Sequence, residues 1–146
     1  MKRVLFFGIL IGTLLLGACS GAVAGDSANT GPGEKVSVGS GSYTNLSPRE
    51  LNSMMDEKDF TFINVHIPFQ GDIPDTDLSI PFDEIEDNLD RLPDDKDARI
   101  VLYCRSGNMS RTASRTLVEQ GYTNVWNLKG GFKAWQEAGY PMAGAE

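Results

Sequence analysis

The sequence predicts an α/β domain with a mainly parallel central sheet and helices on both faces. Three observations predict it. Short runs rich in β-branched and aromatic residues alternate along the chain with stretches of helical spacing, and strands joined through helices pair in parallel. One such run, Ile100-Val101-Leu102-Tyr103, is apolar at consecutive positions, as a strand covered on both faces must be. The length of 146 residues, 40% of them hydrophobic, suits one core and little else.

Taken in order, Lys2 and Arg3 open a positive segment, and Val4 to Leu16 is uncharged and mostly apolar. That run is short of the ~20 apolar residues a membrane span needs and has the shape of an export signal. Residues 20–42 are dominated by Gly, Ser, Ala and Asn, a composition that cannot bury apolar area and predicts a flexible tether. The folded domain is expected to run from Tyr43 to the end of the chain, over 43–146. Ser47-Pro48-Arg49-Glu50 is a capping box with Pro at the first helical position, and Leu51, Met54 and Met55 supply that helix's apolar side. Phe60 to Val65 reads as a strand, and Leu78-Ser79-Ile80 as a shorter one. Ile85, Leu89 and Leu92 have helical spacing, with Asp83, Glu84, Glu86, Asp87 and Asp90 on the other side. After the Arg99–Tyr103 strand, Ser110 to Gln120 is helical and stops at Gly121. Asn124 to Leu128 is the last strand, Gly130-Gly131 opens the last helix, and Phe132 and Trp135 are its core anchors. Gly139 and Pro141 end it.

Composition narrows the function. The net charge is −7, from 20 acidic against 13 basic side chains, and Lys2 and Arg3 lie in the signal segment, so the remainder is more acidic still. Such a surface repels nucleic acid, and no nucleic-acid partner is expected. The two cysteines, Cys19 and Cys104, do not form a disulfide framework. With one histidine, His66, and no CxxC, no metal site is expected.

The residues that carry chemistry are Cys104-Arg105-Ser106-Gly107-Asn108-Met109-Ser110-Arg111. A cysteine stands where a strand ends and a short polar loop turns into a helix. The loop amides and the helix dipole favour a thiolate there without a histidine base, and Arg105 and Arg111 add formal charge. Inward-facing N–H groups of Ser106 to Ser110 are expected to ring a sulfur open at the mouth of the loop. Ser110 or Asn108 is also a candidate helix cap, and Gly107 allows unusual dihedrals. Arg111 shares a solvated stripe with Arg115. His66 follows a strand, at the end of the sheet where α/β sites form.

Cys104-Arg105-Ser106-Gly107-Asn108 resembles the active-site loop of the rhodanese (sulfurtransferase) family, and Gly121 to Trp135 is similar to that family's last strand and helix. The likeness is strong over 99–142 and weaker over 43–98. In that family the first strand ends in Asp-x-Arg, whereas here the matching residues are Asn64-Val65-His66. A Gly-His-Ile-Pro landmark is matched by Gly71-Asp72-Ile73-Pro74, and the short interval before it leaves little room for a helical turn. Met109 stands where many members carry a basic residue, which favours a less charged donor such as an organic persulfide over thiosulfate.

The resemblance implies a rhodanese-type enzyme of the thiosulfate sulfurtransferase class. It would move a sulfane sulfur from a small anion or persulfide to a thiol, another nucleophile or a protein acceptor. Cys104 would be the catalytic nucleophile, carrying a persulfide. Arg105, Ser106, Gly107, Asn108, Met109, Ser110, Arg111 and His66 would bind substrate, and no cofactor is implied. The alternative is a non-catalytic rhodanese-like module that binds partners or senses sulfur. A cysteine phosphatase or arsenate reductase fits less well, because such enzymes place arginine six positions after the cysteine, where this chain has Ser110. Leu16-Gly17-Ala18-Cys19 resembles the lipobox of bacterial lipoproteins. That implies a signal peptide over 1–18, lipidation of Cys19, a tether over 19–42, and a domain held outside the cytoplasm on the membrane by its N-terminal lipid.

Overall fold

The computed structural model describes residues 32–143. The signal and lipidation readings at 1–18 and Cys19 lie outside them. Six strands form one sheet: β1 (Glu34–Val38), β2 (Gly41–Leu46), β3 (Thr61–Asn64), β4 (Leu78–Ser79), β5 (Ile100–Tyr103) and β6 (Val125–Leu128). Their order is β1-β2-β6-β5-β3-β4, with β1 antiparallel to β2 and every other pair parallel. Three helices accompany them: α1 (Pro48–Met55), α2 (Asn108–Glu119) and α3 (Gly131–Glu137). The mainly parallel α/β architecture expected from the alternation of elements is the one observed.

The period of two along each strand builds two cores. Ile100, Leu102 and Cys104 point to one face, with Ile63, Val65 and, from α2, Ala113 and Leu117. Val101 and Tyr103 point to the other, with Phe62, Leu51 of α1, and Phe132 and Trp135 of α3. Helices therefore cover both faces, and β5, at the centre, is buried at all four positions.

The segment 34–42 departs from the expected tether. Lys35-Val36-Ser37-Val38 alternates polar and apolar residues, Gly39 takes φ 53°, and a two-residue turn returns the chain into β2. Val36 and Val38 pack against the core around Tyr43. An average over a Gly/Ser-rich stretch hides two valines spaced for one sheet face.

The capping box of α1 forms as expected. Ser47 Oγ accepts from the Glu50 N–H at 3.3 Å, and Glu50 Oε2 accepts from the Ser47 N–H at 2.7 Å. The acidic stretch is a 3₁₀ helix over Glu86–Arg91, not a regular α-helix, although Ile85 and Leu92 are buried as their spacing required. Its kink is at Asn88 (φ −122°), whose side chain donates to the Glu84 carbonyl while its backbone N–H keeps the turn's bond to the Ile85 carbonyl. The interval between β3 and β4 holds no helix. A polar network orders it: Asn64 Nδ2 donates to Gly71 O and Asp72 Oδ1, and the Tyr103 hydroxyl accepts from the Ile73 N–H at 3.0 Å.

Candidate active site

Cys104 follows the last residue of β5 at the carboxyl edge of the sheet, and α2 begins four residues later. Gly107 makes that turn possible, with φ 90°, a region other residues enter at a cost. A Cβ there would also lie 3.1 Å from the Gly130 nitrogen. The turn aims the Gly107 N–H at Cys104 Sγ, 3.0 Å away, and the Ser110 hydroxyl approaches the same sulfur at 3.5 Å. Both are donors, so both stabilise negative charge on the sulfur.

The loop is held from α3. The Phe132 N–H donates to Cys104 O at 2.9 Å and the Lys133 N–H to Arg105 O at 3.1 Å. These are first-turn amides of a helix, which have no partner within it. They can reach because Gly131 has no side chain: a Cβ there would overlap the Cys104 carbonyl oxygen and lie 2.6 Å from the Arg105 carbonyl carbon. Gly131, at φ 61°, is thus part of the site, and the doubled glycine ahead of a helix was its trace in the sequence.

Several expectations for the loop need correction. Cys104 is 1% exposed, so the sulfur lies beneath a rim of exposed Arg105, Ser106 and Asn108 and not open at its mouth. Among the described residues, the loop amide that reaches the sulfur is that of Gly107. Ser110 presents its buried side-chain hydroxyl to the sulfur. Neither Ser110 nor Asn108 caps α2; the N-cap is Gly107, without a side-chain bond. Asn108 Oδ1 accepts from Arg111 Nη2 at 2.5 Å, on the exposed side. Met109 packs toward the core and brings no charge to the sulfur.

His66 sits beside the loop, against Phe132 and within range of the Arg105 charge. Strand alternation sends Val65 into the cluster containing Cys104 and turns His66 toward Phe132, on which its ring packs edge-on at 5.6 Å. Its backbone N–H donates to Asn64 Oδ1 at 3.0 Å, and both ring nitrogens are buried, with the Gln70 side chain close to the ring but outside full hydrogen-bond geometry. Burial, with the Arg105 guanidinium adding to it, holds the imidazole below its ordinary 6.5, against an opposing contribution from Gln70. His66 is therefore neutral at neutral pH. On the same side, burial pushes the Tyr103 phenol far above its usual range, so it remains a hydroxyl. Among the described residues, no group of three or more His, Cys, Asp or Glu side chains could hold a metal ion.

With this geometry in hand, comparison with known proteins is direct. Residues 47–138 match the rhodanese-like domain. The chain belongs to the rhodanese-like domain family. Among rhodanese-like relatives, a sulfurtransferase of Allochromatium vinosum is 38% identical over 96 residues, covering 64% of this chain and 87% of that protein. A tRNA uridine(34) hydroxylase of Erwinia tasmaniensis is 32% identical over 107 residues, but this chain spans only 31% of its length. Among solved structures, a rhodanese-related protein of Thermoplasma volcanium superposes with a TM-score of 0.59 at 27% identity, covering 68% of this chain and 96% of that one.

Proposed function

We propose that this rhodanese-like chain is a sulfurtransferase that carries sulfur as a persulfide on Cys104. The observation that carries the reading is the pair of donors, the Gly107 N–H and the Ser110 hydroxyl, on a sulfur at the head of α2. In the first half-reaction the thiolate attacks the outer sulfur of the donor. The Cys104 S–S bond forms, the donor's own S–S bond breaks, and its electron pair leaves with sulfite, from thiosulfate, or with a thiolate, from an organic persulfide. In the second, an acceptor thiolate attacks the outer sulfur of the Cys104 persulfide and releases the Cys104 thiolate. Charge balances at each step and no outside oxidant or reductant enters.

Met109 packs on the cluster that holds Cys104 and brings no charge to it, so Arg105 and Arg111 are the loop's formal charges and an organic persulfide is the better substrate on this reading. Arg105, Ser106, Gly107, Asn108, Ser110 and Arg111 form the binding loop on this reading. The sulfurtransferase relative supports it; the hydroxylase relatives share only a segment of their length. A second reading, a non-catalytic binding or sulfur-sensing module, draws on the 1% exposure of Cys104.

Steady-state release of product from a persulfide donor to a thiol separates the two. The enzyme reading requires turnover by the purified chain and its loss in Cys104→Ser; turnover that survives the substitution contradicts it. We also propose, from Leu16 to Cys19, that the mature protein is a lipoprotein held outside the cytoplasm by acylated Cys19 and a tether that ends before β1. Partition into detergent and the mass of the mature N-terminus test this: an unmodified, water-partitioning chain overturns it.

A further inference from the structure

The chain enters the domain at the carboxyl edge of the sheet. β1 runs antiparallel to β2, so Glu34, at its start, pairs with Asn45 near the carboxyl end of β2. Glu34 also meets Lys129, just past the carboxyl end of β6, at 3.3 Å. The chain ahead of Glu34 therefore joins the domain at the edge that carries Cys104. Even fully extended, the stretch from Cys19 to Glu34 spans no more than roughly 55 Å.

That edge also holds an exposed apolar side chain. Phe69 is 62% exposed, the one large hydrophobic residue so exposed among the described residues. It stands in Ile67-Pro68-Phe69-Gln70, an uncharged loop just past β3, and with Ile67 and Pro81 lines an apolar cavity. A single exposed hydrophobic residue is ordinary, but this one is aligned with cations. In the order β2-β6-β5-β3, the exposed Arg49, Lys129, Arg105 and Phe69 follow four adjacent strands, which lie ~4.8 Å apart. Exposed Arg111 stands beside them in the first turn of α2.

The acids gather elsewhere. Ahead of β3 and β5, at the opposite edge, Asp56, Glu57, Asp59, Asp94, Asp95 and Asp97 are exposed and outnumber Lys58, Lys96 and Arg99. At the carboxyl edge, Glu34 is paired with Lys129, and Asp83 and Glu84 lie beyond β4. Glu50 and Asp72 are engaged in hydrogen bonds within the fold. The chain is acidic overall, at −7, yet the edge where it enters is the one an anionic surface repels least.

We propose that this carboxyl edge docks on the lipid surface, with Phe69 at the acyl boundary and Arg49, Arg105, Arg111 and Lys129 among anionic headgroups. An apolar side chain flanked by cations suits that interface. The inference rests on the lipoprotein reading of Cys19 and adds an orientation to it: the Cys104 loop, between Lys129 and Phe69 in strand order, faces the headgroups.

The full chain on vesicles of phosphatidylcholine and phosphatidylglycerol, with bromine on the acyl chains as quencher, tests this. Fluorescence added by Phe69→Trp should fall by about half or more, as suits a side chain ~5–10 Å into the boundary, and that added by Asp95→Trp by less than about a tenth. Signal from Trp126 and Trp135 is subtracted with the wild type. Arg49→Gln with Lys129→Gln should reduce the loss at position 69 about twofold; an unchanged loss contradicts the role given to the cations. Equal quenching at the two positions, or none at position 69 in vesicle-bound chain, overturns the proposal and leaves the edge to a protein partner. An N-terminal mass without acyl chains sinks the lipoprotein reading instead. The same chain held by an N-terminal histidine tag on nickel-chelating lipid then still reports which edge faces the bilayer.

Discussion

At Cys104 the decisive contacts come from two side-chain and backbone donors on one short segment, and they divide the work unequally. The Gly107 N–H, at 3.0 Å, is the closer. The Ser110 hydroxyl, at 3.5 Å, is at the long limit for a bond to sulfur of ordinary strength. Ser110→Ala removes that donor while leaving the backbone, so the rate of persulfide formation should fall by roughly fivefold, about 1 kcal/mol, with little change in stability. Stopped-flow sulfur loading of wild type and variant measures it; an unchanged rate would remove Ser110 from the site. The cysteine and its loop were legible in the sequence, because a strand, a cysteine, a glycine and a helix in that order leave few geometries. The depth of the sulfur and the role of the Ser110 hydroxyl were not, because both depend on which side of the turn faces the sheet. His66 illustrates the same limit: one residue of strand alternation turns it to the Phe132 face, away from the cluster that holds Cys104.

Among the elements, α1 and α3 show how local signals and tertiary contacts differ in legibility. The capping box of α1 was readable from four residues because all its partners are local. Hydrogen bonds from Ser47, side chain first and then backbone, hold the Glu50 carboxyl below its ordinary 4.5. A lowered carboxylate contributes stability that is fully present above 4.5 and is lost as pH falls through its lower folded-state value. Acid unfolding should therefore be shallower below pH 4.5 in Glu50→Gln than in wild type, as followed by circular dichroism; superimposable curves would contradict the linkage. The contact from α3 to the loop is non-local, and the sequence showed only two adjacent glycines. Gly131→Ala forces a Cβ against the Cys104 carbonyl at a positive φ, and the combined strain should cost about 2 kcal/mol or more. Chemical denaturation would read that loss, accompanied by slower sulfur loading because the loop must shift. Gly139→Ala, where a Cβ meets open space at a comparable φ, is the control: it should destabilise less and leave loading alone.

Across the whole molecule, a parallel sheet closed at one edge by a hairpin places the site at the carboxyl end of its central strand. The alternation of apolar runs and helical patterns was sufficient for the class and for helices on both faces. The β1–β2 hairpin escaped because Val36 and Val38 sit inside a stretch whose average composition is that of a linker. Removing residues 32–42 should expose the β2 edge and strip both valines from the core. That costs about 2 kcal/mol or more, seen as a lower urea midpoint for a chain beginning at Tyr43 than for one beginning at residue 32; equal midpoints would make the hairpin dispensable. The central claim, that the buried Cys104 sulfur accepts a second sulfur, is tested most directly by peptide mass analysis after brief treatment with an organic persulfide. A gain of one sulfur atom on the peptide containing Cys104, removable by a thiol and absent from Cys104→Ser, is the result expected. A Cys104 peptide that stays at its unmodified mass with every sulfane donor tried would contradict the account.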